Sequence, residues 1–89
     1  MLEQEFTIVN KLGLHARASA LLVKTASRYV SEIKIAREGI EVNGKSIMGI
    51  MMLAAGLGAE VELETEGDDE QQASDAIAAL VNDKFGEGQ

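Results

Sequence analysis

The stretch EVELETE, residues 60–66, limits what this chain can become more than any other. Val61, Leu63 and Thr65 alternate with Glu60, Glu62, Glu64 and Glu66, so a strand here turns one face to the interior and an acidic face to water. Phe6 and Ile8 alternate with Glu5, Thr7 and Val9, and Ile33 and Ile35 with Glu32, Lys34 and Ala36. Glu38-Gly39 provides a turn, and Ile40 and Val42 form the return strand of a hairpin closed by Asn43-Gly44. Strands that are polar on one side belong to an antiparallel sheet with water on that side, so every helix must cover the other.

From Ala16 to Tyr29 the spacing becomes helical, with Ala18, Leu22, Ala26 and Tyr29 on one stripe. Residues 46–55 are apolar almost throughout, and the Gly56 stop favours a short helix there. Asp68 and Asp69 are placed to cap a last helix, with Gln71 and Gln72 as capping-box partners. Ala73, Ala76, Ile77, Leu80 and Val81 form its buried stripe, and Gly86 opens a frayed tail. The expected order is β-α-β-β-α-β-α, folded as a two-layer, open-faced α/β sandwich. At 89 residues the chain suits one domain, residues 1–89, and the pattern leaves strand order open.

The chain has no cysteine, which excludes disulfides and thiol catalysis. It has a single histidine, so a zinc site would need carboxylates for every other ligand, and neither metal nor cofactor is expected. A net charge of −7 argues against nucleic acid as a partner. No segment approaches transmembrane length and MLEQEFTIVN lacks an apolar signal core, so a soluble, cytoplasmic chain without a membrane partner is the expectation.

The charge is unevenly spread. Residues 60–70 carry Glu60, Glu62, Glu64, Glu66, Asp68, Asp69 and Glu70, whereas residues 11–28 hold no acid and place Lys11, Arg17, Lys24 and Arg28 around His15. In GLHARAS, residues 13–19, His15 falls just before or at the first turn of the expected helix. Amides there lack intrahelical partners, and the helix dipole adds partial positive charge. The ring is therefore expected to be neutral and exposed, with a free lone pair. A phosphate on it would meet the amides of Ala16 and Arg17 and the Arg17 guanidinium. Gly13 lets the backbone turn tightly beside it. Read alone, His15 is more simply a polar residue on a solvated turn.

Arg17, Lys24 and Arg28 fall on one face of the expected helix, flanked by Ala20 and Leu21, which suits docking to an acidic protein, although taken alone it reads first as a solvated face. In SIMGIMMLAA, a sheet can cover only one side of Ile47, Met48, Ile50, Met51, Met52 and Leu53, so some must be exposed, either as a loosely packed core element or as an adaptable docking patch.

GLHARAS and NGKSIMGIMMLAA together resemble the HPr family of histidine-containing phosphocarriers of the phosphoenolpyruvate-dependent phosphotransferase system, over essentially the whole chain. The resemblance implies sheet order 1-4-2-3 with three helices on one face. It implies that His15 is phosphorylated on Nδ1, that Arg17 assists transfer, that Ser46 is a regulatory serine, and that Ile47, Met48 and Met51 form the apolar docking patch. Lys24 and Lys45 join Arg17 and Arg28 as docking cations. Ala18 departs from the family, which most often has proline there; alanine also starts helices well. The implied function is phosphoryl relay by a monomeric, non-enzymatic carrier from enzyme I to IIA-type proteins, with an HPr kinase/phosphorylase acting on Ser46. The alternatives are a regulatory module that signals through Ser46 and barely uses His15, and a small-ligand-binding α/β domain, for which no Gly-rich phosphate cradle is visible.

Overall fold

The computed structural model describes residues 1–87. Along the chain run β1 (Leu2–Thr7), α1 (Ala16–Ala26), β2 (Glu32–Arg37), β3 (Ile40–Asn43), α2 (Ile47–Met52), β4 (Glu60–Glu66), α3 (Glu70–Asn82) and a 3-10 turn, Lys84–Gly86. The four strands pair antiparallel in the order β1-β4-β2-β3, as the resemblance implied. Central β4 buries Val61, Leu63 and Thr65, while Glu60, Glu62 and Glu66 stay in water. The helices cover the apolar face, where Ile8, Leu22, Ile33, Ile35, Ile50, Ile77, Val81 and Phe85 form one cluster with Val61 and Leu63.

The β2–β3 hairpin turns on Glu38 and Gly39, both at positive φ (51° and 83°), between the paired residues Arg37 and Ile40. That is the two-residue geometry whose twist matches the flanking strands, so the expected turn is present. Ser46 caps α2: its Oγ accepts from the Gly49 amide at 3.1 Å.

Several local expectations need correction. β1 runs from Leu2, because pairing with Thr65, Glu64 and Leu63 of β4 holds residues whose own apolar signal is weak. Ile8 lies beyond the strand yet is buried, its amide donating to Ala59 O at 2.8 Å. α1 ends at Ala26, and Ser27 to Val30 form turns, so Arg28 leaves the helical face shared by Arg17 and Lys24. The Asp69 side chain makes no helix cap. It reaches outward instead, accepting from the amides of Val30 (2.9 Å) and Ser31 (3.0 Å) in the α1–β2 connection. Glu70, not Gln71 or Gln72, bonds back to the Gly67 amide at 3.3 Å, and Gln71 pairs with Asp75 along the helix. The expected frayed tail from Gly86 does not begin there, since Phe85 is buried and the Gly86 amide donates to Asp83 O at 2.9 Å; residues 88 and 89 lie outside the described residues.

Candidate functional site

His15 occupies the N-cap position of α1 with an extended backbone, and its ring makes no cap bond. The first helical bond runs from the Ser19 amide to His15 O, at 2.8 Å, so the amides of Ala16, Arg17 and Ala18 have no intrahelical partner. A loop anchored by buried Asn10, Gly13 and Leu14 aims the ring. Gly13 has φ +67°, and a Cβ there would sit 2.4 Å from Ala55 O and 2.6 Å from Gly56 Cα, so only glycine fits. The Leu14 amide donates to Ala55 O at 2.8 Å, and Asn10 Nδ2 donates to Gly13 O at 2.8 Å. The loop that follows α2 is thereby tied to the residue next to His15.

The ring expected to be exposed is partly covered, and by an acid from outside its basic segment. The Glu87 carboxylate returns from the tail, accepting from Asn10 Nδ2 at 3.0 Å through Oε1 and meeting His15 Nε2 through Oε2. The ring keeps 28% of its side-chain surface exposed, and the Glu87 side chain keeps 9%. The Asn10 hydrogen bond and the His15 contact, aided by the charges of His15 and Arg17, hold the Glu87 carboxyl below the usual carboxylate range. Glu87 is therefore ionised near neutrality and can only accept, so Nε2 carries a hydrogen. In the neutral ring the lone pair then belongs to Nδ1. Sequence reasoning missed both Asn10 and Glu87. Asn10 sits in a loop and Glu87 between glycines, so neither shows a periodic signal.

Arg17 is exposed and enters no ion pair among the described residues, leaving its guanidinium free beside the ring. His15 opens into a shallow bowl of about 400 Å³ lined by Lys11, Leu12, Arg17, Gly86 and Glu87. A larger hollow of about 750 Å³ lies along the open side of the sheet, but glutamates, Arg37 and small apolar residues line it and it holds no nucleophile.

The expected docking residues gather on α1 and α2, which pack against each other. Ala20 and Lys24 are exposed and Leu21 is half-buried. On α2 only Ile50 is buried, while Ile47, Met48, Met51 and Met52 are exposed, Met48 to 75%. Lys45 is half-buried, and its ammonium donates to Tyr29 O at 2.7 Å, bracing the turn that follows α1. Among the described residues no helix is long and apolar enough to cross a membrane, and no cluster of three or more metal-ligating side chains occurs.

The family described as "PTS HPr component phosphorylation site" matches residues 2–83. The phosphocarrier protein HPr of Cupriavidus necator is 58% identical over the full length of both chains. That of Pseudomonas aeruginosa is 50% identical over 96% of each. Among solved structures, HPr from Thermoanaerobacter tengcongensis superposes with a TM-score of 0.95 at 49% identity, covering 98% of both chains. HPr from Bacillus anthracis superposes with a TM-score of 0.87 at 44% identity, covering 90% of this chain and 95% of that one.

Proposed function

The chain belongs to the HPr family of phosphocarriers, and on that premise we propose that His15 Nδ1 is the atom that carries the phosphoryl group. The protein relays that group from enzyme I to IIA-type proteins and is itself a carrier rather than an enzyme. The observation that carries the assignment is the Glu87 contact: with Nε2 facing an ionised acceptor, Nδ1 is left as the nucleophile.

In the transfer, the Nδ1 lone pair forms a bond to phosphorus as the bond to the donor's leaving nitrogen breaks, and that nitrogen keeps the electron pair. The free amides at the start of α1 and the Arg17 guanidinium face charge that spreads over the phosphoryl oxygens, and stabilising it there lowers the barrier in both directions. Ile47, Met48 and Met51 supply an adaptable apolar seat for the partner, with Ala20, Leu21 and Lys24 along its border. Regulation falls on Ser46. A phosphate added there by an HPr kinase/phosphorylase puts nearly two negative charges beside Ile47 and Met48, where they repel an acidic partner and resist desolvation.

Incubation with enzyme I and radiolabelled phosphoenolpyruvate tests the assignment. Acid-labile, alkali-stable label is expected on the wild type and none on His15→Ala, whose fold should persist because the ring contributes little packing. Label that survives the substitution would place the acceptor elsewhere.

A further inference from the structure

Leu12 and Leu57 are 66% and 63% exposed, and neither has a reason in the core to be leucine. Leu57 stands between Gly56 and Gly58, where a Cβ at either glycine would meet only open space. Loops of this kind are ordinarily polar, and a large apolar side chain left in water points to something that covers it. The two leucines are not scattered. Leu12 precedes Gly13, Leu57 follows Gly56, and those glycines are in direct contact. Lys11 and Leu12 also form a wall of the bowl that contains His15. Lys11 is exposed and enters no ion pair among the described residues, while the acid of the bowl, Glu87, is committed to Asn10 and His15.

We propose that Lys11, Leu12 and Leu57 form a second, specificity-determining lip of the docking surface, which seats enzyme I beside His15. The inference rests on the phosphocarrier reading and deepens it. Two observations select this occupant. The lip is continuous with the α2 patch, because the Leu14–Ala55 hydrogen bond joins its two loops at the end of α2. His15 opens into the bowl, so a donor that reaches it meets the wall that Lys11 and Leu12 form, with Leu57 on the adjoining loop. At about 400 Å³ the bowl exceeds a phosphoryl group and has room for part of the donor's surface. The leucines offer that surface apolar contact, and Lys11 offers a cation to an acidic rim. Because the lip touches the donor rather than the moving phosphorus, it governs association and not the chemical step.

Steady-state phosphorylation by enzyme I separates these effects. In Lys11→Ser/Leu12→Ser/Leu57→Ser, KM should rise about tenfold with kcat unchanged, since His15 and Arg17 are intact. Leu12→Met should restore most of the Leu12 contribution, because an apolar side chain of similar volume suffices. Lys11→Glu alone, a surface change that leaves the fold untouched, should raise KM most at low salt. Met48→Asp serves as the internal reference. If it raises KM while the triple variant and Lys11→Glu do not, the lip is no part of the interface and the proposal falls alone. A loss confined to kcat would also overturn it, by placing these residues in the chemistry. A wild-type chain that takes no phosphate would overturn the carrier reading itself.

Discussion

Glu87 and His15 lie 72 residues apart in the chain, and the proposed choice of ring nitrogen rests on their contact. Replacing Glu87 with alanine should let the hydrogen distribute over both ring nitrogens, which 15N chemical shifts of His15 would register. The transfer rate should fall about tenfold, as for loss of an outer partner that orients a ligating histidine. The contact also responds to acid. The Glu87 carboxyl is held low chiefly by Asn10 and then by His15, so whatever the contact adds to stability is present above the ordinary carboxyl range. It disappears as pH falls through the lowered value. Asn10→Ala should move the Glu87 titration upward, as read by carboxyl carbon shifts across an acid titration; an unmoved midpoint would remove Asn10 from the account. Arg17→Lys should slow transfer markedly while KM changes little, because an ammonium lacks the planar fork that spans two phosphoryl oxygens. Rates equal to wild type would refute that role. At this scale the sequence was legible where the chemistry is local. Gly13, His15 and Arg17 are consecutive or nearly so, and the demands of a helix start name them. Asn10 and Glu87 were not legible, since only tertiary closure brings a loop and a tail together.

Among the elements, α2 and the sheet carry separable predictions. Ser46→Ala removes the hydroxyl that accepts from the Gly49 amide and should lower stability by about 1 kcal/mol. Ser46→Asp keeps an acceptor in place and should hold the melting temperature while slowing phosphorylation of His15. Unchanged phosphorylation across a range of salt would make Ser46 a cap and nothing more. On the open side of the sheet, Glu62 of β4 lies opposite Glu5 of β1, and Glu64 lies opposite Glu3. Like charges set directly across two strands destabilise by about 0.2–1 kcal/mol. Glu62→Lys should therefore raise the melting temperature, and added salt should raise that of the wild type more than that of the variant. A variant no more stable than wild type in low salt would show the glutamates to be well solvated and independent. The strands were readable because alternation in EVELETE and EIKIA reports burial directly. The end of α1 was not, because Tyr29 continues the apolar spacing after the backbone has already turned at Ser27. Nor could the sequence reveal that Asp69 would spend its carboxylate on Val30 and Ser31.

The whole molecule, of net charge −7, crowds glutamates on the open side of its sheet, while Arg17 and the loop lysine Lys11 border the bowl of His15 and Glu87, with Lys24 in the last turn of α1. Association with acidic partners should weaken as salt rises, and Met48→Asp should weaken it further by setting charge in the apolar seat. An affinity indifferent to both would move the interface to another part of the surface. The layer architecture followed from one-sided strands, whereas the order of those strands came only from resemblance, because alternation says which face is buried and nothing about neighbours. That order has a consequence for how the protein comes into being. β4, the strand that pairs with both β1 and β2, is sixth of the seven regular elements, so β1 emerges first and has no sheet to join until residue 66 is available. The carboxylate that orients His15 is later still. A nascent chain released short of Glu87 could complete its sheet and bury its core, yet present the histidine without the group that selects its reactive nitrogen.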